Sequence, residues 1–217
     1  MTGAVLEASE LTVRRMGRTI LRDVSLALSP GQLVQITGAN GAGKTSLLRV
    51  LSSLLTPVTG RLTWHGRAVR AGDAEYGAQL AYVGHVNGID ADLSPAENLR
   101  FIARMAARQP DADTLRLALD QFGLGAVANV PVRTLSQGQR RRVSLARLAL
   151  VPRSLWLLDE PLTSLDHAAC GQFHALLDAH LTSGGMAVIA THQLLTMRSA
   201  CAGAVLQLPG PTARPTC

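Results

Sequence analysis

Residues 38–46, Gly-Ala-Asn-Gly-Ala-Gly-Lys-Thr-Ser, constrain the fold of this 217-residue chain more than any other stretch. They join an apolar run, Leu33–Thr37, to a segment in which Leu47, Leu48, Leu51, Leu54 and Leu55 fall on one helical stripe. A strand apolar on both faces that runs straight into a helix belongs to a parallel sheet covered by crossover helices. Glycines between the two let the main chain wrap an anion with several N–H groups pointing inward. The positive end of the helix dipole faces the same point. In the order Gly38, Ala39, Asn40, Gly41, Ala42, Gly43, Lys44, Thr45, Ser46, the loop cradles phosphates. Lys44 neutralises the β and γ oxygens, and the Thr45 hydroxyl ligates Mg²⁺. The segment predicts a site for a nucleoside triphosphate, with ATP and Mg²⁺ as its expected occupants.

The remaining pattern agrees with a sheet of that kind. Leu6–Val13 and Ile20–Leu28 read as short strands about a turn at Gly17, giving an antiparallel β part at the N-terminus. The helix from Lys44 is expected to reach Leu55, stopped by Thr56-Pro57 and Thr59-Gly60. Leu80–Val83 is another strand. Ser94-Pro95-Ala96-Glu97 is a capping box opening a helix to about Ala107, a second helix spans Asp111–Phe122, and a third spans Gln139–Leu150. Leu155–Leu158 and Met186–Thr191 are buried-type strands flanking a helix over Asp166–Leu181. The expected fold is α/β, a phosphate-loop nucleotidase with a mostly parallel core sheet, an N-terminal antiparallel β part and an inserted helical subdomain. Residues 1–86 and 151–208 form the core of one domain, about 87–150 the helical insertion, and 209–217 a loose tail.

Composition removes several classes of function. Aromatic residues are 3% of the chain, too few for stacking platforms on single-stranded nucleic acid. No apolar run is long enough to cross a bilayer, and the first residues lack a basic-then-apolar leader pattern, so the chain is expected to stay in the cytosol. Cys170, Cys201 and Cys217 are odd in number and widely spaced, so neither a zinc site nor a disulfide framework is indicated. A formal charge of +6, almost all from arginine, favours an anionic partner without choosing one.

Leu155-Trp156-Leu157-Leu158-Asp159-Glu160 puts two acids where a buried strand ends. Beside a phosphate loop, Asp159 suits a hold on Mg²⁺ and Glu160 suits a general base that polarises the attacking water. Without such a loop they would read as two solvated carboxylates. Leu135-Ser136-Gln137-Gly138-Gln139 stands upstream of them at the start of a helix, where the Ser136 side chain and the Gly138 amide make a second anion site. This segment resembles the signature motif of ATP-binding cassette ATPases. Ser164-Leu165-Asp166 is similar to the family's D-loop, and His192, ending a strand, to its switch histidine. The resemblance runs from Gly38 to His192. It implies that a second copy of the chain pairs head to tail. Ser136, Gly138, Gln139 and Asp166 then reach the partner's ATP, and His192 and Lys44 act on the γ-phosphate.

Two places depart from the family pattern. The first hairpin, Val13-Arg14-Arg15-Met16-Gly17, has no aromatic residue to stack on adenine, so modest discrimination among nucleobases is expected. After Leu80–Val83 the chain reads Gly84-His85 where relatives place the Q-loop glutamine, and His85 is a poorer Mg²⁺ ligand than an amide oxygen. Tyr82-Val83-Gly84-His85, with Gly88-Ile89 and residues 34–49, 135–148 and 190–193, closely resembles the ATP-binding subunits of cytochrome c biogenesis, the haem exporter ATPases. That resemblance implies a bacterial subunit on the cytoplasmic face of the inner membrane, bound to integral membrane proteins that handle haem. The alternatives are an importer or exporter ATPase of the same family serving another substrate, and a soluble cassette of the iron–sulfur-assembly type. A phosphate-loop kinase is disfavoured by the signature segment. Arg140, Arg141 and Arg142 oppose the dipole of their helix, which hints at an anionic neighbour; ion pairs or a solvated face are the plainer reading.

Overall fold

The computed structural model describes residues 5–192, 194–195 and 203–209. Its contacts divide the chain into two units, one of Met1–Tyr82, Ser154–Glu160 and His180–Cys217, the other of Val83–Arg153 and Pro161–Ala179.

The first unit holds two sheets. An antiparallel sheet has the order β2-β1-β4-β5, from β1 (Leu6–Arg15), β2 (Arg18–Leu28), β4 (Thr59–Trp64) and β5 (Arg67–Ala68). The core sheet has the order β6-β7-β8-β3-β9, from β3 (Leu33–Thr37), β6 (Leu80–Val83), β7 (Leu155–Asp159), β8 (Met186–Ala190) and β9 (Gly203–Gln207). β3 runs parallel to both β8 and β9, and β7 runs parallel to β8. Every residue of β7 and of β8 is buried, which is why these runs carry no polar alternation. Their carboxyl ends finish level with each other, since Asp159 and Ile36 both register against Ala190. Loop hydrogen bonds lock that edge: Glu160 N–H donates to Ala190 O at 2.9 Å, and Thr191 N–H to Ile36 O at 3.0 Å.

Helix α1 (Lys44–Leu51) is one turn shorter than its leucine stripe implies. Ser53 takes a left-handed φ of 58°, Leu54 and Leu55 turn their N–H groups back to Arg49 O, and the buried Tyr76 hydroxyl donates to Leu51 O. Thr59-Gly60, read from sequence as a helix stop, instead opens β4. A Cβ on Gly60 would lie 2.5 Å from the carbonyl oxygens of Ser9 and Glu10, so glycine is needed where β4 passes close to β1. The sequence reading also missed β5, β9 and a one-turn helix, α2 (Ala74–Gly77), capped by Asp73. The expected tail lies outside the described residues beyond Pro209, as do Cys201 and Cys217.

The second unit is helical: α3 (Pro95–Met105), α4 (Ala112–Asp120), α5 (Gln137–Leu150) and most of α6 (His167–Thr182), with two short 3₁₀ turns. The capping box at Ser94 and Glu97 forms in full, so α3 starts where the sequence places it. Leu99, Leu115, Leu119, Phe122, Val143, Leu145 and Leu148 fill this unit's interior. Among the described residues no helix is long and apolar enough to cross a membrane.

Candidate nucleotide-binding and hydrolysis site

The site grows out of the level edge of the core sheet. β3 ends at Thr37, and the loop from Gly38 climbs into α1 with left-handed φ values at Gly41 (81°) and Gly43 (98°). A Cβ at Gly41 would touch nothing, so there the requirement is conformational. At Gly43 a Cβ would also fall 2.6 Å from Leu21 Cδ2. No side chain caps α1, which leaves its first N–H groups and the positive end of its dipole open to an anion.

Lys44 is buried, and its ammonium donates to Gly38 O at 2.8 Å and Ala39 O at 3.4 Å. The side chain therefore curls over the loop it would share with phosphate. Thr45 Oγ1 donates to Asp159 Oδ2 at 2.7 Å, joining the loop to the end of β7, where Asp159 is 2% exposed. Two hard oxygen donors side by side fit Mg²⁺, which takes carboxylate and hydroxyl oxygens and few protein ligands. Burial raises the Tyr82 hydroxyl's pKa and the Asp159 carboxylate adds to the effect, while Arg49 opposes it.

Glu160 follows Asp159 with a φ of 49°, a left-handed conformation that costs a non-glycine residue about 1–3 kcal/mol and gathers at functional positions. His192 Nε2 lies 3.2 Å from Glu160 Oε1 and 3.4 Å from Lys44 Nζ. One ring nitrogen cannot donate to the carboxylate and accept from the ammonium together. The hydrogen-bond geometry is that with Lys44, for which Nε2 accepts, while the approach to Glu160 Oε1 is a charge contact. The segment after His192 is anchored by a residue the sequence reading missed. The buried Gln35 amide accepts from Leu195 N at 2.7 Å and donates to Leu195 O at 3.1 Å. A polar residue in the middle of an apolar strand was the available signal.

Thus residues 38–46, Asp159, Glu160 and His192 meet in the first unit. His85, Ser136, Gly138, Gln139 and Asp166 belong to the second. There, Ser136 caps α5 in a capping box: its Oγ accepts from Gln139 N at 3.2 Å, and Gln139 Oε1 accepts from Ser136 N at 2.9 Å. The helix thus starts at Gln137, two residues earlier than read, and takes Gly138 into its first turn. A Cβ on Gly138 would lie 2.6 Å from Ser164 O, so the start of α5 and the 161–166 loop are in close contact. Asp166 caps α6, accepting from Ala169 N at 2.8 Å, and His85 is exposed just beyond β6. In the arginine run, Arg140, Arg141 and Arg142 each donate to main-chain carbonyls of their own unit.

At the tip of the first hairpin Met16 is fully exposed at a φ of 47°, and Arg14 Nη2 donates to Gly17 O at 3.4 Å. With no ring in this turn, KM values for ATP, GTP and CTP hydrolysis are expected to agree within about tenfold, because a methionine or arginine contact to a base contributes only about 1 kcal/mol. A strong preference for ATP in parallel steady-state assays would contradict this.

The model of the ABC transporter family matches residues 21–163. The chain is 64% identical over 208 residues to the cytochrome c biogenesis ATP-binding export protein CcmA 2 of Cupriavidus metallidurans, covering 96% of this chain and 97% of that protein. Among solved structures, the ATP-binding subunit of an ABC transporter aligns with a TM-score of 0.83 at 25% identity, over 96% of this chain and 88% of that one. A bacterial ABC transporter cassette solved as a dimer aligns with a TM-score of 0.80 at 22% identity, over 96% and 97% of the two chains. The phosphate loop tied to a strand-end carboxylate, with the signature turn between the two in sequence, agrees with that family, and the chain belongs to it: it is an ABC transporter ATPase.

Proposed function

We propose that the chain hydrolyses Mg-ATP as one half of a head-to-tail dimer bound to integral membrane subunits at the cytoplasmic face of a bacterial inner membrane. Those subunits handle haem for c-type cytochrome biogenesis. The observation that carries this reading is the 64% identity, along nearly the whole of both chains, to a protein named for cytochrome c biogenesis.

The residues take their roles from their chemistry. The amides of residues 38–46 and the Lys44 ammonium hold the β and γ phosphate oxygens. Thr45 and Asp159 hold Mg²⁺, which neutralises charge on the triphosphate. Glu160 accepts a proton from the attacking water, and His192 steadies the γ-phosphate once it turns from the carboxylate. Each protomer lends Ser136, Gly138, Gln139 and Asp166 to its partner's ATP, since the first unit already has a phosphate cradle of its own. The segment bearing His85 passes the movement to a membrane helix.

A tagged Glu160→Gln variant, purified from detergent-extracted bacterial membranes, tests the assignment. Co-purifying small membrane subunits that carry haem are the expected result. An unrelated permease would remove the haem role and keep the chemistry, and exclusively soluble partners would remove the membrane role as well.

His85 takes the place in the sequence where relatives carry the Q-loop glutamine, whose amide oxygen suits Mg²⁺ better, so the chain alone should hydrolyse slowly. His85→Gln is expected to raise kcat several-fold, roughly the worth of one added polar contact. An unchanged kcat in the isolated chain would show that His85 does not limit the rate.

A further inference from the structure

The three consecutive arginines of α5 do different things. Arg140 donates from Nε to Val132 O at 3.1 Å and from Nη2 to Arg133 O at 2.6 Å, and Arg142 donates from Nη1 to Phe122 O at 3.3 Å. Each of these ties α5 to one nearby segment. Arg141 lies between them and is only 5% exposed. Its Nε donates to Pro161 O at 3.2 Å, and its Nη1 donates to Gly84 O at 2.8 Å and to Asn87 Oδ1 at 3.2 Å. One turn further along, Ser144 Oγ donates to Asn87 O at 2.7 Å, a second tie to the same segment. Pro161 is covalently next to Glu160, and Gly84 is covalently next to His85.

Only a guanidinium suits such a junction: it is planar, permanently charged, and aims donors in several fixed directions. The junction also carries a cost. Burial and the nearby Arg141 guanidinium pull the Arg147 pKa down to about 10, so α5 keeps two guanidinium groups close together in an interior. Stability alone favours apolar side chains in such a place.

We propose that Arg141 is a positioning residue for ATP hydrolysis, fastening the peptide beside Glu160 and the peptide beside His85 to the signature helix. It touches no nucleotide. It acts through the main chain, setting where the Glu160 carboxylate and the His85 segment stand when ATP is bound. The inference rests on the reading of Glu160 as the group that activates water.

Steady-state hydrolysis by the full chain and its Arg141→Ala variant tests it. The expected result is a kcat lower by about ten- to a hundredfold, a KM for ATP within about threefold, and partial recovery of kcat when guanidinium chloride is added at tens of millimolar. Arg142→Ala is the control on the same helix, expected to keep kcat and lose only thermal stability. Should Arg141→Ala fail to fold, Arg141→Lys and Asn87→Ala carry the same test, each with a smaller loss confined to kcat. An Arg141 variant with wild-type kcat overturns the proposal. So does a loss matched by Arg142→Ala, tracking thermal stability and untouched by guanidinium. If Glu160→Gln hydrolyses ATP at the wild-type rate, the reading beneath the proposal fails instead. If Glu160→Gln is inactive and Arg141→Ala is unchanged, only the proposal fails.

Discussion

Glu160→Gln is expected to lower kcat for ATP by about 10²–10⁴-fold, the usual contribution of a positioned general base. Glutamine keeps the size of the side chain and one acceptor oxygen, so the contact from His192 Nε2, 3.2 Å from Glu160 Oε1, can persist. The left-handed φ of 49° is no harder for glutamine than for glutamate, so the backbone should hold its place. What disappears is a group able to take a proton from water. On the proposed role of Glu160 the substitution also removes one negative charge that would face the γ-phosphate, so ATP affinity should be unchanged or tighter. Single-turnover phosphate release, with binding followed by a fluorescent nucleotide, separates the two effects. Retained turnover at normal affinity would assign the proton to another group.

Lys44→Ala is expected to weaken ATP binding by about 10²–10³-fold. Removing one partner of a buried charge pair costs about 3–5 kcal/mol, and the triphosphate would then lose the one side-chain cation of its loop. The apo protein should lose much less, because the ammonium is held there only by Gly38 O, at 2.8 Å, Ala39 O and the longer His192 contact. Those are neutral partners for a buried charge, and the methylene stem removed is small. Thermal unfolding with and without ATP reads both quantities at once. The ATP-induced rise in Tm should vanish at concentrations that saturate the wild type, with the apo Tm little changed. A preserved ATP shift would mean that the loop amides alone supply the affinity.

The core strands and the capped helices were legible because each is decided locally. β7 is an apolar run ending in Asp159, β3 is one broken only by Gln35, and Ser94 and Glu97 sit at capping-box spacing. The elements missed are those whose cause is distant in sequence. β9 is an edge strand that exists through pairing with β3, and its exposed pattern gives no local sign of that. β4 can lie against β1 because Gly60, its second residue, leaves room for two β1 carbonyls that pass too close for any other side chain. α1 stops at Leu51 although its leucine stripe continues, because Ser53 turns left-handed and Tyr76, twenty-five residues on, takes up the last carbonyl.

The candidate site divides along the same line. Its phosphate loop, its two strand-end acids and its signature turn are each short segments whose residue types at fixed spacing admit few other chemistries. The sequence alone therefore determined that the chain binds and splits a nucleoside triphosphate on a parallel α/β scaffold. It did not determine how those groups engage one another. Only the tertiary structure decided that Thr45 reaches Asp159, that His192 lies between Glu160 and Lys44, and that Gln35 pins the segment beyond His192. Only the tertiary structure separated Arg141 from the arginines on either side. The physical reason is that partners twenty to a hundred and sixty residues apart are chosen by packing, and a one-dimensional pattern holds no record of which side chains packing brings into hydrogen-bonding reach.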